Sequence, residues 1–435
     1  MLYYSTKNQN IHASFREAVL NGIAPDGGLY MPIELPVQRS SYIDSLQNLS
    51  FQEISFDIAK IFVDHISDND LHTIIERTIT FDAPLVRLSD NLSVLELFHG
   101  PTLAFKDFGA RFLSNTLSVL TREEDKTIVI LVATSGDTGS AVAHGFYDNE
   151  RIKVALLYPS GKVSQIQEQQ LTTVGKNIQA FEIKGTFDDC QRLVKTAFLD
   201  NHLKRDYLLS SANSINIARL IPQTFYYFHA YAQSLKRYKE SIIFSVPCGN
   251  FGNLTAGIIA HKLGLPVKKF IASVNENNVF EQYVKTGIYR PKDAVKTLAN
   301  AMDVGNPSNF ERIMALFNRD RDELRKTIDS YRISDEQIKE GIRDVYQKFD
   351  YLIDPHGAVG YQALKEIKNR SRNKNHAIIL ETAHPAKFLD IVSPIINRNI
   401  EIPARLDECL HKEKNSILVS ENYSDFEYEL RRWLA

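Results

Sequence analysis

Cysteine is scarce in this sequence, with only Cys190, Cys248 and Cys409 among 435 residues. The three stand far apart and form no CxxC pair, which argues against a disulfide framework and for a reducing compartment. An excess of charge of one sign is also lacking, because the formal net charge at pH 7 is -2. A nearly neutral chain has no electrostatic footprint for nucleic acid or for an anionic membrane, so we expect neither as a partner.

Long apolar runs are absent as well. No stretch approaches the roughly 20 residues that a membrane helix needs, and residues 1–7 lack the basic and apolar regions of a secretory signal. We therefore expect a cytoplasmic protein that does not enter a membrane. A chain of 435 residues exceeds what one hydrophobic core usually serves, which predicts two or three folding units.

The common nucleotide, metal and hydrolase motifs are missing too. The sequence contains no GxxxxGK[ST] segment, no GxGxxG after a predicted strand, no HExxH and no GxSxG. These absences weaken the ATPase and dehydrogenase interpretations. Without a CxxC…CxxC or HExxH pattern, no metal site is predicted.

What the sequence does contain, from about residue 92 onward, is an alternation of strand-length and helix-length patterns. Near-continuous apolar strands that alternate with helices predict a parallel sheet covered on both faces. The predicted strands are residues 127–133, 154–158, 178–183, 242–246, 269–274 and 377–381. Ligands of such sheets bind outside the carboxyl ends of the strands, so the residues after each strand are candidates for chemistry.

Residues 1–90 have a different character. Helical patterns occupy residues 14–20, 51–66 and 69–81, and a segment rich in glycine and proline occupies residues 22–32. We interpret this part as an α-rich N-terminal domain that packs on the rest.

Two predicted strands run into loops of the same construction. Residues 134–140 (TSGDTGS) follow the first strand, residues 247–253 (PCGNFGN) follow the fourth, and each loop precedes a helix. Glycines allow close backbone approach, and a helix N-terminus offers unpaired N–H groups with partial positive charge. One such loop is weak evidence, but two in one domain suggest two anionic groups held close together.

Lys106 lies among phenylalanines in residues 99–112 (HGPTLAFKDFGARF). A buried lysine is costly unless its amine is paired or neutral, and desolvation lowers an amine's pKa, which favours attack on an aldehyde. The alternative is a lysine that extends from a buried helix edge to solvent. Together with the two loops, the fragment favours a pyridoxal-phosphate enzyme.

These features resemble the threonine synthases of the longer type, which have an added N-terminal domain. The resemblance covers nearly the whole chain and rests on residues 26–30, 95–109, 133–139, 211–219, 246–253, 300–304 and 382–388. It implies pyridoxal 5'-phosphate (PLP) as cofactor and the tryptophan-synthase-β-like α/β fold (fold type II). Residues 1–90 would form the N-terminal domain. Residues 91–435 would form two doubly wound α/β subdomains with the active site between them.

The resemblance also implies an activity and an assembly state. Threonine synthases convert O-phospho-L-homoserine and water to L-threonine and phosphate, the last step of threonine biosynthesis. The reaction is a β,γ-replacement by a carbon–oxygen lyase that acts on phosphate. Relatives of the longer type imply a monomer.

The cofactor-binding residues follow by motif from the resemblance. Lys106 would bind the cofactor aldehyde covalently and then act as the acid–base group. Thr382, after the strand at residues 377–381, would face the pyridine nitrogen, where a hydroxyl cannot enforce the full positive charge that a carboxylate would. The backbone N–H groups of one loop would wrap the cofactor phosphate. That loop consists of Gly249, Asn250, Phe251, Gly252 and Asn253.

The substrate-binding residues follow in the same way. Ser135, Gly136 and Thr138 would border the substrate carboxylate. Asp137 would lie near the cofactor's phenolic oxygen, where a carboxylate is repelled unless one of the two groups is protonated. Ser214, Asn216 and Arg219 would bind the substrate phosphate, for which arginine offers fork geometry and permanent charge.

Several alternatives stay open at this point. Residues 213–216 could be an N-cap cluster for the helical stretch that follows, and His144 and His356 are interpreted as structural. A PLP-dependent dehydratase or phospho-lyase would keep the fold and change the reaction, but a dehydratase does not need the phosphate cluster. A non-catalytic binder of phosphorylated metabolites is the alternative from another class, and the intact Lys106 argues against it.

Overall fold

A small antiparallel sheet with helices packed around it forms the first part of the chain. The computed structural model describes residues 1–134, 136–235, 242–368 and 375–435. Ser14 and Ser50 begin two of the predicted helices with capping boxes. The elements are β1 (Leu2–Ser5), β2 (His12–Ser14), α1 (Phe15–Asn21), β3 (Tyr30–Pro32), α2 (Ser40–Ser45), α3 (Phe51–Phe62) and α4 (Asp68–Thr78).

Strands and helices alternate in the next part of the chain, as predicted. The elements up to residue 235 are β4 (Leu85–Ser89), β5 (Leu92–Glu96), α5 (Lys106–Leu120), β6 (Ile128–Ala133), α6 (Asp137–Phe146), β7 (Ile152–Pro159), α7 (Gln165–Thr172), β8 (Ile178–Lys184), α8 (Phe187–Leu199), α9 (Asn201–Asp206), β9 (Leu208–Ser210), α10 (Ile217–Leu220) and α11 (Pro222–Leu235). The loop that contains Gly136 thus joins β6 to α6.

The alternation continues from residue 242. The elements are β10 (Ile242–Pro247), α12 (Gly252–Lys262), β11 (Val267–Val274), α13 (Val279–Thr286), α14 (Phe310–Leu316), α15 (Arg321–Thr327), β12 (Ile328–Arg332), α16 (Asp335–Phe349), α17 (Pro355–Lys368), β13 (His376–Glu381), α18 (Leu389–Ile396), α19 (Ala404–Leu410), β14 (Ser416–Ser420) and α20 (Tyr423–Leu434).

The strands from β4 onward belong to two sheets, which confirms the α/β fold with two subdomains. One sheet has the order β12-β11-β10-β13-β5-β4 and the other the order β14-β8-β7-β6-β9. All neighbours are parallel except β4 and β5, which are antiparallel. Strand β4 was not predicted from the sequence, and its residues are half-buried or exposed. The predicted domain boundary at residue 90 falls between β4 and β5 and stays a prediction.

Both faces of each sheet are covered, because alternate residues of one strand pack into different cores. In the first sheet Phe244 belongs to the core shared with α11 and α12, whereas Ile243 packs with residues of α16 and α17. In the second sheet the neighbours Ile130 and Leu131 likewise lie in two different hydrophobic cores. This two-sided burial explains why these strands are nearly continuous apolar runs.

The helices were compared with the length and apolar character that a membrane span needs. Throughout the described parts of the chain, each helix is too short or too polar to span a lipid bilayer.

A glycine fixes the packing of α12, the helix that begins at the predicted cofactor-phosphate loop. A Cβ atom on Gly257 would lie 2.7 Å from a Tyr227 ring atom and 2.8 Å from a Phe270 ring atom. We predict that Gly257→Ala lowers the free energy of unfolding, because overpacking costs about 1–3 kcal/mol and the gain in helix propensity is only about 1 kcal/mol.

Urea unfolding of Gly257→Ala and Gly341→Ala provides the measurement and its control. Gly341 lies in α16, and its Cβ would meet the flexible side chain of Gln362 at 3.0 Å, so the control should lose less stability. Equal midpoints for Gly257→Ala and the unmutated protein would contradict this account of the packing.

Candidate active site

A short antiparallel contact brings the start of α5 to the end of β13. The amide of Phe105 donates to the carbonyl of Thr382 at 2.9 Å, and the amide of His384 donates to the carbonyl of Leu103 at 3.0 Å. Lys106 and Thr382, which are far apart in sequence, therefore lie beside each other at the same sheet edge.

The turn before Lys106 is held by Asp107. The Asp107 carboxylate accepts hydrogen bonds from the amide of Thr102 at 2.8 Å and from its hydroxyl at 2.7 Å. A Cβ atom on Gly100 would lie 2.4 Å from this carboxylate, so the turn closes tightly over Asp107. Burial raises the pKa of Asp107 to about 6. Asp107 was not predicted as a site residue, although it directly follows Lys106.

The Lys106 amine lies among charged groups in a largely buried position. Its side chain is 18% exposed, and its Nζ lies 3.5 Å from Asp137 Oδ2. Burial is the main reason that the pKa of Lys106 lies below its usual value; Asp137 opposes the shift, while Lys387 and Arg219 add to it. The site thus favours the neutral, nucleophilic form of the amine.

Lys387 is a second residue of this site that sequence reasoning missed. Its side chain is completely buried, and its Nζ lies 2.7 Å from Asp137 Oδ1; it also donates to the carbonyl of Thr102 at 3.2 Å. Burial works against ionisation of Asp137, but the ammonium groups of Lys387 and Lys106 hold the pKa of its carboxyl well below the usual range. The one available signal was a lysine in the apolar segment at residues 385–388.

The loop between β6 and α6 is shaped by a glycine that no other residue could replace cheaply. Gly136 has φ +139°, and a Cβ there would lie 2.5 Å from the Gln167 side chain. The Thr134 hydroxyl accepts from the amides of Gly136 and Gly139 at 3.0 and 2.9 Å. Asp137 is buried and Thr138 is half-buried. Ser135, a predicted substrate-binding residue, lies outside the described residues.

The loop at Gly249–Asn253 forms the start of α12 and has the shape of an anion cradle. A Cβ atom on Gly249 would lie 2.8 Å from the carbonyl oxygen of Ala301. Phe251 is the N-cap in the left-handed region, with φ 61°. The first N–H groups of α12, beginning at Gly252, have no acceptor within the helix and can bind an anion.

Asn253 adds a side-chain donor to this cradle. Its Oδ1 accepts from the hydroxyls of Tyr226 at 2.7 Å and Tyr227 at 2.9 Å. Its Nδ2 is buried and, within the described residues, has no hydrogen-bond partner. Because a buried amide without an acceptor is costly, this atom indicates an acceptor supplied by a ligand.

The segment at Ser214–Arg219 contacts the cradle at one end and the N-terminal part at its middle. Ser214 Oγ accepts from Asn250 Nδ2 at 2.6 Å. Asn216 is the N-cap of α10, and its Nδ2 donates to the carbonyl of Val19 at 2.9 Å. The N-cap interpretation therefore describes Asn216, while Ser214 faces the Gly249–Asn253 loop.

Arg219 is a buried arginine whose donors are only partly used. It is 3% exposed, and its Nη1 donates to the carbonyl of Ala212 at 2.6 Å. Its Nε is buried and has no partner in the described part of the chain. Burial lowers the pKa of Arg219 to about 10, so the group is still a cation at neutral pH. A buried, incompletely paired guanidinium is suited to an anion.

Of the two histidines interpreted as structural, His356 is buried and His144 is half-buried. Burial lowers the pKa of His144 to about 4, which makes it neutral at physiological pH. His356 accepts from the amide of Ala301 at 3.2 Å and lies 3.1 Å from Asp354. His356 thus supports the segment that packs on Gly249.

Family comparisons cover almost all of the chain. Residues 78–381 match the family described as pyridoxal-phosphate dependent enzyme. Residues 2–79 match the threonine synthase N terminus, and residues 357–427 match the threonine synthase C-terminal region.

Relatives that match over nearly their whole length are threonine synthases. The chain is 42% identical to threonine synthase from Haemophilus influenzae over 435 residues, which cover 100% of this chain and 99% of the relative. The crystal structure of threonine synthase from Escherichia coli superposes with a TM-score of 0.92 at 40% identity, covering 100% of both chains. A PLP-bound threonine synthase from Brucella melitensis gives a TM-score of 0.93 at 32% identity, covering 99% of each. The chain belongs to the threonine synthase family of PLP-dependent enzymes.

Proposed function

We propose that this protein converts O-phospho-L-homoserine and water to L-threonine and phosphate. The observation that carries the proposal is a buried lysine amine accompanied by two separate groups of anion donors, one at the start of α12 and one at Arg219. Incubation of the purified protein with O-phospho-L-homoserine tests it. We expect threonine and phosphate in equal amounts, whereas phosphate without threonine would favour a phospho-lyase.

The residues of the site fit PLP. An aldehyde reacts with a neutral amine, and the lowered pKa of Lys106 favours that form. The cofactor phosphate fits the N–H groups of the Gly249–Asn253 loop, and the unpaired Nδ2 of Asn253 is a further donor. When bound, PLP supplies an aldehyde that takes up the substrate's amino group and a ring that draws electron density from the reacting carbons.

Further contacts in the proposal concern the cofactor ring. Thr382 faces the pyridine nitrogen through its hydroxyl. Asp137 lies near the phenolic oxygen, and its pairing with Lys387 at 2.7 Å removes the repulsion that an uncompensated carboxylate would cause there. Ser135, Gly136 and Thr138 border the substrate carboxylate.

The chain's residues then move protons and hold the leaving group. Lys106 takes a proton from the α carbon of the substrate and next from the β carbon. Phosphate leaves from the γ carbon, bound by Ser214 and Arg219. Asn216, whose side chain caps α10 and donates to the carbonyl of Val19, positions this segment. A proton is added at the γ carbon, the oxygen of water adds at the β carbon, and the α proton is restored, which balances the overall reaction.

A dehydratase remains the second candidate with the same fold. It acts on an unphosphorylated amino acid and has no use for a buried arginine with a free donor, so Arg219 favours the phosphorylated substrate. A non-catalytic binder would have no use for an amine of lowered pKa. We further propose a cytoplasmic monomer with residues 1–90 as N-terminal domain and residues 91–435 as catalytic core, which acts on a small molecule and uses neither nucleic acid nor membrane.

The first prediction concerns the attachment of the cofactor. Borohydride reduction of the PLP-loaded protein should fix the cofactor on Lys106, because this amine is largely buried and burial lowers its pKa. Mass spectrometry of peptides locates the adduct. Lys106→Ala should keep some cofactor through the α12 cradle but lose turnover, and Lys365→Ala, at the surface, should retain it. An adduct on another lysine would exclude this assignment.

The second prediction concerns the charge of Lys387. In Lys387→Met, Asp137 loses its partner and pairs with Lys106, and Lys106 no longer experiences the charge of Lys387. Both changes raise the pKa of Lys106, so covalent cofactor uptake by the cofactor-free protein should need a higher pH. The midpoint of the uptake rate against pH, followed by visible absorption, measures the shift.

Two matched variants control this experiment. Lys387→Arg keeps the positive charge and should restore most of the midpoint, whereas Lys365→Met removes a surface lysine that pairs with Asp344 and should leave it unchanged. A midpoint in Lys387→Met at or below that of the unmutated protein would refute the role of Lys387.

The third prediction separates the two phosphate sites. Arg219→Leu should keep the cofactor bound, with only the small rise in the pKa of Lys106 that the loss of a nearby cation causes. It should weaken kcat/KM for O-phospho-L-homoserine by roughly 2–4 kcal/mol, the scale of a lost charge-assisted contact to a buried anion. Inorganic phosphate should inhibit the variant much less. A slow side reaction on serine, which has no phosphate, is the control and should change little. Equal losses on both substrates would make Arg219 structural and favour the dehydratase.

A further inference from the structure

Arg312, in α14, is a completely buried arginine that lies outside the residues assigned above. Its relative exposure is 0%. Its Nε and Nη2 both donate to the carbonyl of Tyr30, at 3.2 and 3.0 Å. Its Nη2 also donates to the carbonyl of Ile215 at 2.7 Å, and its Nη1 donates to Asn309 Oδ1 at 2.9 Å. One guanidinium therefore contacts two distant segments of the chain and the N-cap of its own helix.

Two of these contacts belong to a closed ring of hydrogen bonds. Asn309 Nδ2 donates to the carbonyl of Asn250 at 2.9 Å, and Asn250 Nδ2 donates to Ser214 Oγ at 2.6 Å. Because Ser214 and Ile215 are neighbours, the ring returns to Arg312. It joins the Gly249–Asn253 loop to the segment at Ser214–Arg219, which are the proposed sites for the cofactor phosphate and the substrate phosphate.

The third contact ties the ring to the N-terminal part of the chain. Tyr30 is the first residue of β3 and pairs with Ser5 of β1, and its carbonyl accepts two of the arginine's N–H groups. A second tie runs from Asn216 to the carbonyl of Val19. The N-terminal part of the chain thus contacts the proposed phosphate-binding segments through two carbonyls, one in β3 and one in α1.

The charge of Arg312 is not balanced by a carboxylate. No ion pair of Arg312 occurs among the residues that the structure describes, and burial lowers its pKa to about 9, which still leaves it cationic at neutral pH. An unbalanced buried cation is expensive. Anions bound at the two neighbouring sites would compensate for the charge of Arg312. This compensation is a physical reason for a buried arginine at this position.

We propose that Arg312 is a positioning residue that fixes the distance between the cofactor-phosphate loop and the substrate-phosphate segment. It touches neither phosphate and acts through Asn309, Asn250 and the carbonyl of Ile215. The inference rests on the proposed function for the identity of the two sites. The N-terminal part then contributes to the site by supplying the carbonyl that anchors the guanidinium.

Substitution of Arg312 should loosen both sites together. In Arg312→Met, we expect the cofactor to dissociate from the loaded protein roughly ten- to hundredfold faster, the scale of losing hydrogen bonds to a charged donor. Inhibition by inorganic phosphate should weaken by a similar factor. Arg312→Lys keeps the charge but not the fork, so it should rescue the two properties only in part. Release is followed by loss of visible absorption in the presence of a carbonyl trap.

The control is Arg321→Met. Arg321 also donates to backbone carbonyls, those of Val284 and Lys285, but at the start of α15 and away from the site. Its loss should leave cofactor release and phosphate inhibition unchanged, even if stability falls.

Asn309→Asp tests the same ring if Arg312→Met does not fold. The aspartate still accepts from Arg312 but cannot donate to the carbonyl of Asn250, so cofactor release should again accelerate. Unchanged cofactor release in Asn309→Asp, or in a folded Arg312→Met, would overturn the proposal. Cofactor release does not depend on the substrate, so a protein that makes no threonine would refute the proposed function and leave this test valid.

Discussion

The chain of three charges Lys387–Asp137–Lys106 is the interaction on which the rest of the site depends. A single buried carboxylate beside Lys106 would hold that amine protonated, but Asp137 is compensated by Lys387 at 2.7 Å and approaches Lys106 only at 3.5 Å. The amine can therefore lose its proton while Asp137 stays ionised. Lys387 also donates to the turn before α5, so the same cation lowers the pKa of Lys106 and holds the turn that precedes it.

The fold supplies this arrangement by bringing strand ends together. Strands β10 and β13 are parallel neighbours in the first sheet, so the loops that follow them lie at the same, carboxyl end of that sheet. The loop after β6 follows a strand of the second sheet. Asp137 and Lys106 each begin a helix, and the amide of Phe105 pairs with Thr382. The proposed active site thus consists of short segments, each of which adjoins a helix or a strand.

Much of this could be predicted from the sequence, because the signals are local. The apolar strands and the glycine loops after β6 and β10 can each be recognised from a segment of about ten residues. Lys387 could not be found in this way, since its partner Asp137 is distant in sequence and only the packing of two subdomains joins them. Arg312 could not be predicted for another reason. Most of its acceptors are backbone carbonyls, and every residue type has a backbone carbonyl, so the sequence contains no signal for these contacts. The antiparallel strand β4 was missed because its half-exposed residues lack an apolar run.

The central claim is that one reactive lysine serves two distinct phosphate sites. A crystal structure of the protein with PLP and an unreactive phosphonate analogue of O-phospho-L-homoserine tests this most directly. The account predicts the cofactor phosphate on the Gly249–Asn253 loop, the phosphonate against Ser214 and Arg219, and the cofactor's aldehyde carbon within reach of Lys106. A phosphonate bound away from Arg219, or both anions in one loop, would contradict it.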